Sequence, residues 1–117
     1  MKNDNYSNIL KTFINLIGFL KVITNFDSYS KDKKEFNNIL ETITNWMVKY
    51  EKERNLLFID ISVLENIYEK LDNFQTYYVC NNLLGSESEF SDFVLNWMQH
   101  LVIITKKEIE GEGRYNA

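Results

Sequence analysis

The sequence predicts an all-α protein, a compact bundle of four to five antiparallel helices, and three observations lead there. Apolar residues recur at helical spacing over long stretches, first at Tyr6, Ile9, Leu10, Phe13, Leu16, Ile17, Leu20 and Ile23. The 117 residues include no Pro and only four Gly, little material for the tight turns that short strands require. Hydrophobic residues make up 44% and aromatic residues 15%, enough apolar surface to offset the chain entropy lost when one domain of this size folds.

The first helix is expected over residues 5–24. Phe19, Val22 and Phe26 fall on the side opposite its main stripe, so its second half is apolar nearly all round. Such a helix is central in its own domain or covered by another subunit, which makes Phe19, Val22 and Phe26 a candidate oligomer face. The polar run Asn25–Asp32 then connects to a second helix, announced by Asp32 and Glu35 at capping-box spacing. Phe36, Ile39, Leu40, Ile43, Trp46, Met47 and Tyr50 form its stripe, and Asn55 is its expected stop.

Residues 56–62, LeuLeuPheIleAspIleSer, read either as a short buried strand or as the packed entry to another helix. Ser62 and Glu65 repeat the capping-box spacing and predict a third helix over 63–72, with Leu64, Ile67, Tyr68 and Leu71 inward. Asp72 and Gln75 repeat it again and predict a fourth helix that ends at Gly85. The alternative is an α+β fold with a two-stranded element at about 56–61 and 76–80, since ThrTyrTyrValCys has strand-forming residues. Ser86 with Glu89, or Ser88 as the cap itself, opens a last helix over 87–109. Its stripe is Phe90, Phe93, Val94, Trp97, Leu101 and Ile104, with Met98 at the edge. Residues 1–109 are therefore read as one helical domain and 110–117, with two glycines and no periodicity, as a flexible tail.

AsnTrpMet occurs twice, at 45–47 and 96–98. The two copies sit at different angles on their stripes, with Met47 the more central in one helix and Trp97 in the other. A duplicated functional motif would keep its orientation, so both are read as packing anchors, with Trp46 nearer the surface.

The lone Cys80 excludes an intramolecular disulfide and fits a reducing compartment. Lys11 and Lys21 bracket an uncharged run of nine residues, short of the roughly 20 that span a bilayer. The chain is expected to be cytoplasmic, with no membrane partner. His100 is the single histidine; with Cys80 it falls short of the ligand set of a structural or catalytic zinc, and no third residue type marks the two as a nucleophile–base pair. Phosphate-binding, zinc-protease and acyl-transfer motifs are absent, so no enzyme activity, metal or cofactor is expected.

Charge is the most informative property. Residues 1–57 carry nine Lys or Arg against seven Asp or Glu; residues 58–117 carry four against ten. Lys31, Lys33 and Lys34 are nearly neutralised by Asp27, Asp32 and Glu35, and with a pI of about 5.0 they make a poor nucleic-acid surface. Glu65, Glu69 and Asp72, at i, i+4 and i+7, share one helical line, while Glu87, Glu89 and Asp92 cluster near the start of the last helix. These six are the candidate partner-binding residues. The function they predict is a non-enzymatic acidic module, in its sharpest form a small inhibitor or immunity-type protein that blocks a basic, nucleic-acid-binding surface of another protein. The alternative is a structural or assembly subunit, and the AT-rich residue usage points to a mobile element or virus.

Overall fold

A computed structural model describes residues 2–25, 31–80 and 88–116, with side chains over 6–25, 31–77 and 92–111. Four helices follow one another in it: α1 (Lys2–Thr24), α2 (Lys33–Glu53), α3 (Ile61–Cys80) and α4 (Ser88–Asn116). Together they form a bundle of 48 × 24 × 22 Å. α1 packs against both α2 and α4, and α3 packs against α4.

α1 supplies the largest share of the core because its stripe is the widest. Phe13, Leu16, Ile17, Leu20 and Ile23 are all buried, each burial favouring the fold by roughly 1.5–3 kcal/mol before chain entropy is counted. Thr12 and Thr24 are buried with them, and their hydroxyls donate back to the carbonyls of Asn8 and Leu20, so neither is left unpaired. α2 contributes Phe36, Ile39, Ile43 and Tyr50; α3 contributes Leu64, Ile67 and Leu71. Tyr6–Thr24 is a 19-residue segment of mean hydropathy 1.2, long and apolar enough by composition to cross a membrane, a test that a bundle's core helix also passes.

Several expectations are corrected. Among the described residues there is no strand: 56–60 form a turn held by Ile59 N–H donating to Leu56 O, and 76–80 are the end of α3. Leu56 and Ile59 are the buried members of that turn, which explains the apolar run without a strand. The separate third and fourth helices are one helix. Asp72 is exposed in mid-helix and caps nothing, and the apolar line continues past it to Phe74, whose ring meets Phe36 of α2 at 4.9 Å. α4 runs to Asn116 rather than stopping at Ile109.

The capping boxes also resolve differently. Asp32 occupies the cap position of α2 without a side-chain capping bond, and Glu35 instead pairs with Lys70 of α3 at 2.8 Å. At α3 the cap is Asp60: its carboxylate accepts from Ser62 N–H at 2.9 Å and from the Ser62 hydroxyl at 2.6 Å, while Glu65 turns to α4. α2 ends at Arg54, in the left-handed conformation at φ 58°, with its N–H on Tyr50 O. Asn55 then shapes the turn, donating to Glu53 O and accepting from Leu57 N–H. In α4 it is Met98 that is fully buried, with Val94, Leu101 and Thr105, whereas Trp97 is half-buried. The core line is set by which residues face α1 and α3 together, and Trp97 stands one step off it.

Two expectations about stability follow. The Ser62 hydroxyl and then the Ser62 N–H hold the Asp60 carboxyl below its ordinary range. Its contribution is therefore present above the unfolded value, about 3.9, and is lost as pH falls through the lower folded value. Asp60→Ala lowers the urea midpoint at neutral pH, and the gap from wild type narrows as pH falls through the lowered folded value. The Thr105 hydroxyl is buried without a hydrogen-bond partner among the described residues. Thr105→Val removes that group without opening a hole and raises unfolding free energy by about 1–2 kcal/mol in denaturant titrations.

Candidate functional site

The site that gathers the predicted residues is the seam between α3 and α4. On α3, Glu65, Glu69 and Asp72 stand exposed along one line, as their spacing requires. On α4, Asp92, Gln99 and Lys106 recur every seven residues and share a line of their own. The two lines meet at both ends: the Lys106 ammonium pairs with Glu65 at 2.9 Å, and the Gln75 amide donates to the Asp92 carboxylate.

Between these ties lies an open groove of about 380 Å³, lined by Glu65, Tyr68, Glu69, Gln99, Val102 and Ile103. Its composition is amphipathic. Val102, Ile103 and the Tyr68 ring offer apolar contact, Ile103 being 46% exposed, while the glutamates form a negative rim. Among the described residues neither Glu69 nor Asp72 takes a salt bridge, so their charge faces outward uncompensated. Among the described residues Lys106 is the cation paired with the groove's rim, and it is spent on Glu65.

Of the six candidate partner-binding residues, Glu65, Glu69, Asp72 and Asp92 thus come to one seam. Glu87 lies outside the described residues, as does the side chain of Glu89. The candidate oligomer face is rearranged: Phe19 stacks on Phe93 of α4, centroids 5.4 Å apart and planes 15° apart, so the chain itself covers much of that ring. Val22 remains 37% exposed, and Phe26 lies outside the described residues.

His100 sits on the α1 side of α4, its Nδ1 3.2 Å from the Thr12 hydroxyl and its ring edge-on to Trp97. The Cys80 side chain is outside the described residues. Among the described residues no group of three or more His, Cys, Asp or Glu is placed to hold a metal. Lys31 lies over the Tyr77 ring at 5.1 Å, so part of the basic cluster is engaged within the fold.

A second polar assembly escaped the sequence reading. At one end of the bundle Tyr50 is buried between Tyr6 and Phe13, with ring centroids at 5.4 and 5.8 Å, and Arg54 lies over the Tyr6 ring at 4.5 Å. Glu108 of α4 reaches the same end and accepts from Leu56 N–H at 3.2 Å, anchoring the turn that follows α2. Tyr50 was legible as a stripe residue, but nothing in local spacing links position 50 to position 108. Burial, then the Glu108 charge, pushes the Tyr50 phenol up to about 12.

An unfolded tyrosine titrates near 10, so the neutral phenol's contribution is complete below about pH 10 and is lost as pH rises through the folded value. In a spectrophotometric titration one tyrosine ionises near pH 12, accompanied by loss of helicity. Glu108→Gln moves that step to lower pH. No family model, curated protein or solved structure matches this chain.

Proposed function

We propose that the protein is a non-enzymatic, acidic protein-binding module that docks on a basic surface of another protein through the α3–α4 seam. The convergence of Glu65, Glu69, Asp72 and Asp92 beside exposed apolar residues supports this reading. A purely solvated acidic face needs no Ile103 or Tyr68 at its floor, whereas an interface gains affinity from apolar contact and selectivity from charge. The partner that suits this groove presents lysines or arginines flanking an apolar ridge. In the sharpest form the module is a cytoplasmic inhibitor or immunity-type protein that occupies a basic, nucleic-acid-binding surface, carried by a mobile element or virus.

An antiparallel course of the helices belongs to the same proposal. Phe19 with Phe93 and Thr12 with His100 support it for α1 and α4, since one number rises as the other falls. Glu65 with Lys106 and Gln75 with Asp92 support it for α3 and α4 in the same way.

The test is affinity capture from the native host at low salt, followed by calorimetric titration of the captured protein with variants. The double variant Glu69→Lys, Asp72→Lys weakens binding by at least about a hundredfold, and raising the salt weakens the wild-type complex steeply. Lys106→Ala, which releases Glu65 to the partner, tightens binding several-fold. Affinity that ignores both salt and these charges would sink the proposal.

A further inference from the structure

The walls of the α3–α4 groove are helical throughout, which restricts what can lie in it. Glu65–Glu69 belong to α3 and Gln99–Ile103 to α4, inside both helices, so their backbone N–H and C=O groups are bonded within their own helix. An extended segment laid on Tyr68, Val102 and Ile103 would find no backbone edge to pair with, and its inward groups would give up water for nothing. A helix satisfies its own backbone and meets the floor with side chains alone. The groove is open to water, whereas a small-molecule pocket encloses most of its ligand. The Gln75–Asp92 tie stands between the groove and the connection from α3 to α4.

Resting on the docking reading above, we propose that the occupant of the seam is a single amphipathic helix of the partner, basic along one flank. Charge fixes that flank. Glu65, Glu69 and Asp72 stand on the α3 side over an axial span of roughly 10 Å, while across the floor α4 presents the uncharged Gln99. The chain already shows how this line receives an ammonium, since Lys106 Nζ sits 2.9 Å from Glu65. A partner helix with Lys or Arg at every third or fourth position places one cation beside each carboxylate and its apolar stripe on Tyr68, Val102 and Ile103. No helix of this chain carries three Lys or Arg at that spacing, so a second copy does not supply it.

Lys106 is then an intramolecular competitor. A partner cation opposite Glu65 has to displace it from a pair that is about half-exposed on both sides and therefore weak. Cations opposite Glu69 and Asp72 meet no such rival, because neither carboxylate takes a salt bridge among the described residues. The acidic line thus favours its Asp72 end for the first cations bound.

Fluorescence anisotropy with labelled synthetic peptides and the full chain tests it, with circular dichroism on each variant to confirm the helices. The probe is a leucine-striped, alanine-based peptide of about 18 residues with lysines at i, i+4, i+7 and i+11, a set that fits the acidic line in either direction. It binds with a Kd on the order of 10–100 µM, and a peptide of the same composition in scrambled order, or one with a central proline, binds at least about tenfold more weakly. Glu69→Lys with Asp72→Lys weakens the helical probe by about tenfold or more. Ile103→Ser, at an exposed position, weakens it several-fold, and Lys106→Ala tightens it. Equal binding of the helical, scrambled and proline peptides, all lost on Glu69→Lys with Asp72→Lys, overturns the helix and keeps the acidic docking reading. Binding indifferent to those charges overturns both. No binding of the helical probe overturns the helix, while capture from the host still decides the docking reading.

Discussion

Burial of one face of α1 is the constraint on which the remaining contacts depend. Phe13, Leu16, Leu20 and Ile23 are covered from one side by α2 and from the other by α4, and α4 in turn carries α3 on its other side. α3 joins chiefly through α4, with Phe74 on Phe36 and Lys70 on Glu35 as its reach to α2. A large-to-small change on α1 opens a void that two neighbours would have to close together, whereas one on α3 is met mainly by α4.

That hierarchy explains what the sequence could reveal. The stripes of α1 and α2 were readable because their inward residues, Phe13 to Ile23 and Phe36 to Tyr50, repeat at helical spacing, with the partly buried Trp46 and Met47 filling the turn between Ile43 and Tyr50. Capping was not readable. Asp32–Glu35, Ser62–Glu65 and Asp72–Gln75 have the same local spacing, yet in each the second residue is drawn to a distant partner: Lys70, Lys106 and Asp92. A bond worth at most a kcal/mol or so at a helix end is easily redirected by tertiary contact. The exchange of Trp97 for Met98 at the core has the same origin, since a helix's inward line is fixed by its neighbours and not by its bulkiest residue. The acidic line on α3 was visible in the sequence; that Asp92, Gln99 and Lys106 lie opposite it was not, because nothing local encodes which helices adjoin.

Exposed carboxylates at the seam act over a Debye length, about 8 Å at physiological salt, whereas apolar side chains act only in contact. The seam holds both kinds of group side by side, with the exposed Glu69 next to Tyr68 and Ile103.

The position of α4 in the chain has a consequence for synthesis. α1 can zip against α2 as soon as the segment to Glu53 has emerged, but its other flank waits for residues beyond Ser88. At typical elongation rates the interval to the end of α4 is roughly 3–13 s, during which part of the apolar α1 surface faces water or whatever binds nascent chains. The half-built bundle is the species most exposed to aggregation or chaperone capture. Its vulnerability ends only when α4 docks and Glu108 takes hold of the Leu56 amide.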